Sequence, residues 1–419
     1  MKRHPLIKTL VNLQGNPRAC LYAEPLWGIP YNLYMPYVSV YMISLGVTGT
    51  QIGMIISIST LFQIIFSILG GVVNDKLGRR LTTLIFDILA WSIPCIIWAV
   101  AQNVYYFMIA AIINAMWRVT MISWGCLFVE DAEQKDIVNI WSLVYISGLL
   151  VAFIAPVTGF LINKFSLVTT MRMLFLLSFI MMTIKFVVTY IFSKETKRGK
   201  IRMAETKNTS LFKMLLEYKT VFGHVSKSPK LYYTIIVLLI ITICRTVTST
   251  FWSVIVTQKI LIPVGNIAFY AFIRSIMMLM VFFFIAHRIS AFNLKRPMVT
   301  GFLCFILSQT LLITLPEKGY ILLIVSTCLE AVAMALIDPL SESMLVLNAN
   351  PEERSRMISI IYAIILILSL PFGYLSGVLS DMNKTYPFIL NISLFAIALL
   401  VILKSNVAFK EASSESIGG

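Results

Sequence analysis

The sequence is poor in charge. Only 13% of its 419 residues are charged, whereas soluble domains carry roughly a quarter. Hydrophobic residues make up 58%. A chain of this length and composition could not cover a water-facing surface with polar groups. The composition therefore excludes a soluble protein and predicts an integral, multi-pass protein of the cell membrane.

Several kinds of chemistry are also missing. None of the three histidines (His4, His224, His287) lies in the middle of an apolar run, and no phosphate-binding glycine loop occurs. The six cysteines show no C-x-x-C pair or other metal-ligand spacing. We expect no enzyme activity, no cofactor and no metal, so any energy must come from a proton or ion gradient.

What the sequence does contain is long apolar runs. They are about 20 to 27 residues long, enough for helices that cross a hydrocarbon core of roughly 30 Å. We predict an all-α membrane protein with twelve such helices, over residues 20–43, 50–73, 81–101, 104–128, 137–163, 171–192, 231–256, 265–287, 297–315, 320–346, 355–380 and 386–404.

The net charge of +15 is unevenly placed along the chain. With the N-terminus inside, the inner segments hold 25 of the 34 Lys and Arg residues, and the outer loops hold five. This is the positive-inside bias, which predicts that both termini are cytoplasmic. The basic balance therefore indicates contact with the lipid bilayer and not with nucleic acid.

One long polar stretch divides the spans six and six. We predict an N-terminal bundle over 1–192, a basic cytoplasmic linker over 193–230 with an amphipathic helix, a C-terminal bundle over 231–404 and a tail over 405–419. The halves look related, since an offset of 218 residues places 82–89 on 300–307. Repeated bundles of this kind are typical of alternating-access transporters.

The loop between the second and third spans reads GGVVNDKLGRR, residues 70–80. Its pattern G-x-x-x-D-K-x-G-R-R resembles the loop signature of the major facilitator superfamily, and with the twelve spans the resemblance covers the whole chain. It implies two pseudo-symmetric bundles and a loop that acts as a cytoplasmic gate, with Asp75 facing the start of the eleventh helix. The gate residues we predict are Gly71, Asp75, Lys76, Gly78, Arg79, Arg80, Asp87, Glu130, Asp131, Glu133, Lys295, Arg296 and Glu342.

Ionisable residues inside spans are costly unless they are paired or wetted, so they are candidates for function. The resemblance implies that helices one, four, seven and ten line a central cavity. We predict that Glu24 pairs with Arg118 as a proton switch, and that Arg245 pairs with Glu330 or Asp338. A structural role for Glu24 and Arg118 is an equal alternative. Further cavity candidates are Asn114 and the aromatic residues Trp27, Tyr31, Tyr34 and Trp117.

The fifth span carries Gly148 and the sequence APVTG, whose Pro156 and Gly159 resemble the helix-five kink of antiporter members. A proline kink that serves packing alone is an equally good interpretation.

Together these features predict a monomeric secondary transporter that couples protons to the export of a small amphipathic compound. Uptake of a metabolite, lipid flipping, and a membrane sensor or scaffold that transports nothing stay open as alternatives.

Overall fold

The chain is helical and divides into two compact units. The first unit comprises residues 1–47 and 58–216, and the second comprises 48–57 and 217–419. In the part of the chain that is described, no strand occurs, and ten helices are long and apolar enough to cross a membrane. The computed structural model describes residues 10–131, 143–144, 146–148, 150–210, 229–284, 295–348 and 354–404.

The first unit is built mostly from short helices, with two long ones among them. A π-helical segment, Ile88–Ser92, lies between its fifth and sixth helices. Its helices are α1 Gly15–Ala23, α2 Pro25–Tyr34, α3 Val38–Ser44, α4 Gly49–Leu77, α5 Arg79–Asp87, α6 Ile93–Ala99, α7 Val104–Asn114, α8 Trp117–Val129, α9 Pro156–Phe165, α10 Leu167–Phe192 and α11 Lys197–Thr206.

The predicted first span is interrupted by prolines. Proline has no N–H to donate, so it begins a helix more readily than it continues one. Pro25 opens α2, and Pro36 lies in a 3₁₀ turn before α3. The span is therefore a series of short helices. The predicted fifth span, 137–163, begins outside the described residues. These two differences explain why ten long helices stand against the twelve predicted.

The second unit is made of long helices around an aromatic core. The rings of Phe305 and Phe395 lie 4.2 Å apart, and Phe302 packs 5.3 Å from Phe395. All three side chains are buried. Its helices are α12 Pro229–Gln258, α13 Ile267–Phe284, α14 Lys295–Thr314, α15 Tyr320–Asn348, α16 Arg354–Met382 and α17 Tyr386–Lys404.

The first nine residues of α4 belong to the second unit, where they pack on the end of α16. A Cβ on Gly377 would lie 2.5 Å from the Gly49 carbonyl oxygen and 2.8 Å from the Gly53 Cα. The Asp381 carboxylate accepts hydrogen bonds from the N–H groups of Gly49 at 2.8 Å and Thr50 at 2.6 Å. It thus satisfies donors that the first turn of a helix leaves free. We call this contact the glycine seam.

The predicted linker contains one described helix, α11, which belongs to the first unit. Thr196 caps it by accepting from the Gly199 N–H at 2.9 Å. The predicted amphipathic helix falls on residues 211–228, which lie outside the described part of the chain, as does the tail from 405.

Candidate functional site

Two carboxylates and one ammonium group meet inside the first unit. The Lys185 Nζ, on α10, lies 3.5 Å from the Glu24 Oε2 and 4.0 Å from the Asp87 Oδ2. The Lys185 and Asp87 side chains are 6% and 7% exposed, and that of Glu24 is 16% exposed. We call these three residues the acid–lysine cluster. It holds one more acidic group than basic groups.

Local breaks in the helices place both acids. Glu24 stands between α1 and α2, directly before Pro25. Asp87 is the last residue before the π-helical segment. The lysine completes the cluster from a continuous helix, where the rings of Trp124 and Phe186 lie 5.7 and 5.1 Å from its ammonium nitrogen. Such cation–ring contacts stabilise a buried ammonium group.

The predicted pairing of Glu24 with Arg118 is wrong. Glu24 pairs with Lys185, for which the sequence predicted no role. The Arg118 Nε instead donates to the Gln63 Oε1 at 3.0 Å, and its guanidinium carbon lies 4.2 Å from the Trp117 ring. Asp87 was predicted to be a gate residue, but its carboxylate lies beside Lys185.

A cluster of rings lies on α2 next to the acid–lysine cluster. Trp27 stacks on Tyr31 with centroids 4.7 Å apart, and Tyr34 meets Tyr31 edge-on at 5.7 Å. The three aromatic residues predicted on this helix therefore lie together. The structure adds Trp91, which stands edge-on to Trp27 at 5.1 Å and to Tyr31 at 5.9 Å. We call these four residues the aromatic cluster.

The π-helical segment connects the two clusters, because Asp87 precedes it and Trp91 lies within it. Wider π turns leave carbonyl groups that the regular helix would have paired, and they occur often at functional sites. The Asn114 Nδ2 donates to the Ala90 carbonyl oxygen at 2.7 Å. Asn114, predicted as a cavity residue, thus supports this segment.

The glycine-rich loop forms a network of charges within the first unit. Arg79 is 4% exposed. Its Nη1 lies 3.1 Å from the Asp75 Oδ1, and its Nε lies 3.2 Å from the Glu130 Oε2. The Arg202 Nη2, on α11, lies 2.8 Å from the Asp75 Oδ2. The hydrogen bonds to Asp75 raise the pKa of Arg202 above its usual value, so this guanidinium stays charged.

Glu195 is a member of this network that the sequence did not reveal. Its carboxylate accepts from the N–H groups of Arg79 at 2.9 Å and Arg80 at 3.0 Å, and so caps α5. Gly78 permits this approach, since it has φ 82° and a Cβ there would lie 2.6 Å from the Glu195 Oε2. The Arg80 side chain contacts Tyr190. Its guanidinium carbon lies 4.0 Å from the ring of Tyr190, whose carbonyl accepts from Nε.

The remaining predicted gate residues of the first half are Gly71, Lys76, Asp131 and Glu133. Gly71 and Lys76 lie in the last two turns of α4. The Asp131 carboxylate accepts from the Lys197 N–H at 3.3 Å. Glu133 lies outside the described residues, as do the residues directly before α16, the helix that Asp75 was predicted to face.

The predicted helix-five kink is a helix start. Pro156 occupies the first turn of α9, and a 3₁₀ turn, Ala152–Ile154, precedes it. Gly159 is buried in α9, whereas a Cβ on Gly148 would have nothing within 4 Å. The proline therefore divides the fifth span instead of bending a continuous helix.

The second unit holds two ion pairs. Arg245 pairs with Asp338, as predicted, and both side chains are partly exposed. The Arg274 Nη2 lies 3.1 Å from the Oε1 of Glu330, which is fully buried. Of the two partners predicted for Arg245, Asp338 is the one that it contacts, and Glu330 pairs with Arg274 instead.

The predicted second gate is described only in part. The Lys295 Nζ donates to the Leu403 carbonyl oxygen at 3.0 Å, and Arg296 is exposed. The side chain of Glu342 lies outside the described part of the chain. Among described residues, no group of three His, Cys, Asp or Glu side chains could hold a metal ion.

Comparisons with known proteins agree with this architecture. The chain is 33% identical over 84 residues to the quinolone resistance protein NorA of Staphylococcus aureus, covering 20% of this chain and 21% of NorA. It is 34% identical over 104 residues to the multidrug resistance protein MdtG of Serratia proteamaculans, covering 24% and 25%. The chain thus spans about a quarter or less of the length of these curated relatives.

The fold similarity extends over the whole chain. The crystal structure of a mutant of the nucleoside transporter NupG superimposes with a TM-score of 0.74 at 15% identity, covering 93% of this chain and 99% of that one. The family profile of the Major Facilitator Superfamily matches residues 27–261 and again residues 234–418. The protein is therefore a multi-pass membrane protein that belongs to the Major Facilitator Superfamily.

Proposed function

We propose that the protein is a proton-coupled exporter of small amphipathic compounds that works by alternating access. The observation that carries the proposal is the charge imbalance of the acid–lysine cluster. Lys185 neutralises one carboxylate, but Glu24 and Asp87 both approach it. A second carboxylate charge in a dry interior costs several kcal/mol. The cluster therefore favours binding one proton whenever water is excluded from it.

Access of water would reverse this preference. In an open state the second carboxylate is hydrated and releases its proton, whereas in a closed state it takes one up. Glu24 suits this exchange because its side chain is the most exposed of the three, at 16%, and its Oε2 accepts no hydrogen bond from the described residues. A proton that enters and leaves with the opening of a cavity can drive transport.

The aromatic cluster supports an amphipathic substrate. Indole and phenol rings offer flat apolar surfaces with a polar edge, and they bind planar apolar or cationic groups by stacking. The names of the relatives agree with export, since one is a quinolone resistance protein and the other a multidrug resistance protein. A fluorescent quinolone is thus a reasonable first substrate to test.

The test is transport in proteoliposomes with an imposed pH gradient. The unmodified protein should accumulate the quinolone against its gradient. Glu24→Gln should abolish this accumulation but retain downhill exchange of substrate, because the cluster would lose its exchangeable proton. Glu317→Gln, at an exposed position, is the matched control and should behave as the unmodified protein.

Each other outcome would count against the proposal. Full accumulation by Glu24→Gln would place the coupling proton elsewhere. Transport that is indifferent to the pH gradient would exclude proton coupling, and movement in the direction of uptake would exclude export.

A further inference from the structure

We propose that Glu330, Arg274 and Trp252 form a second proton-binding site, within the second unit, that works independently of the acid–lysine cluster. Its role in transport rests on the proton coupling proposed above, whereas its proton binding can be measured without any substrate. The chain would then hold one exchangeable proton in each unit.

In this site the Glu330 carboxylate has an ion-pair contact with Arg274 but no hydrogen bond from the described residues. Glu330, on α15, is fully buried, and neither of its carboxylate oxygens has a hydrogen-bond partner among the described residues. The Arg274 Nη2, on α13, approaches its Oε1 to 3.1 Å. The Nε of Arg274 and the buried Nε1 of Trp252 also have no partner there. Several buried polar atoms of these three residues therefore lack hydrogen-bond partners among the described residues, which is rare in an ion pair whose role is purely structural.

Arg274 is the member of the site that can leave it. Its side chain is 26% exposed, whereas that of Glu330 has no exposure. The guanidinium carbon lies 5.3 Å from the Trp252 ring, which offers a surface over which a guanidinium can slide. A long flexible side chain with one end near the surface can exchange a buried partner for water or a lipid headgroup.

Departure of the guanidinium would bring a proton to Glu330. A lone carboxylate charge at a fully buried position is costly, so the acid binds H⁺ and becomes a neutral carboxylic acid. Return of Arg274 restores the ion pair and releases the same proton. One proton is bound and one is released in each cycle, and no other co-reactant is required.

Among the described residues, Arg274 is the charged group whose field acts on Glu330. On α12, Arg245 is engaged by Asp338, which lies two turns further along α15. Lys295 and Arg296 lie in the first turn of α14, and the charged residues of α16 lie in its first and last turns. The proton on Glu330 is therefore exchanged against one guanidinium.

The experiment is infrared difference spectroscopy of the purified full-length protein between acidic and alkaline pH, with H⁺ itself as the probe. A buried carboxylic acid gives a C=O band that is absent from the carboxylate form. The unmodified protein should show such a band at acidic pH. Glu330→Gln should remove the component of this band that belongs to residue 330, while Glu24→Gln and the exposed control Glu317→Gln should leave that component in place.

Two further variants keep the test decisive. If Glu330→Gln does not fold, Glu330→Asp retains a carboxyl group, and the band should change frequency instead of disappearing. Arg274→Gln should make the band persist to alkaline pH, because the group that displaces the proton has been removed.

The inference is overturned if the pH-dependent band is unaffected by both changes at residue 330. It is also overturned if the component that belongs to residue 330 is present at every pH in the unmodified protein. Loss of the band in Glu24→Gln would show that the two sites are not independent. None of these results depends on transport, so failure of the proposed export would be seen separately.

Discussion

Replacement of Lys185 by methionine tests the acid–lysine cluster most directly. The change keeps a long side chain but removes the one cation that faces two buried carboxylates. At 3.5 and 4.0 Å, the two attractions amount to about 5 and 4 kcal/mol at an effective dielectric constant of about 20. Desolvation of the lysine and repulsion between the acids offset part of this. We therefore expect a loss of about 3–5 kcal/mol, the usual result of breaking a buried pair.

The comparison variant is Glu24→Gln, which leaves Asp87 and Lys185 as a balanced pair and should change stability by under about 1 kcal/mol. Unfolding of each purified variant in a denaturing detergent at neutral pH measures the difference. Combining Glu24→Gln with Lys185→Met should return part of the loss, since one uncompensated acid remains in place of two. Acidification should also stabilise Lys185→Met, because protons neutralise the two carboxylates.

A Lys185→Met protein as stable as Glu24→Gln would refute the reasoning. It would mean that the carboxylates are hydrated or protonated irrespective of the lysine. The protonation of the cluster would then not depend on whether water reaches it, and the cluster could not couple protons to transport.

Two other predictions concern the packing of the helices. Gly377→Ala should destabilise the protein by about 1–3 kcal/mol, because its Cβ would overlap the backbone across the glycine seam. The control Gly148→Ala should be neutral or slightly stabilising. Thermal unfolding compares the two variants, and equal effects would contradict the tight packing of the seam. Glu195→Gln should cost about 1 kcal/mol through the loss of a charged cap on α5, measured in the same way, and an unchanged midpoint would show that the cap contributes nothing.

The fold was accessible from the sequence because apolar runs and basic loops report directly on the bilayer. Arg79 was not predicted to contact Asp75, because the two residues lie on different helices, on either side of Gly78. Its contact with Glu130 followed from placing both on one side of the membrane. These inferences need distances along the chain and nothing more.

The partner of Glu24 needed information of another kind. Counting residues gives the depth of a side chain in the membrane but not the direction in which it points around its helix. Two interruptions, at Pro25 and at the π-helical segment, alter that direction for Glu24 and Asp87. No residue pattern marks a π turn, so the meeting of these acids with Lys185 was not predictable. Glu195 was missed because it follows directly after a span, in a stretch that looked like a solvated linker.

The π-helical segment has a consequence for how the first unit can move. Relative to a regular helix it contains one surplus residue, and one residue corresponds to about 100° of rotation around the axis. A surplus residue can pass along a helix one position at a time without unwinding it, and each residue that it passes turns by that angle. Asp87 and Trp91 lie close enough together for one such step to change the angle between them. In the proposed transport cycle, such a step would rotate Asp87 of the acid–lysine cluster relative to Trp91 of the aromatic cluster. The matching stretch of the second half lies in α14, which is an unbroken α-helix, so that half has no surplus residue there.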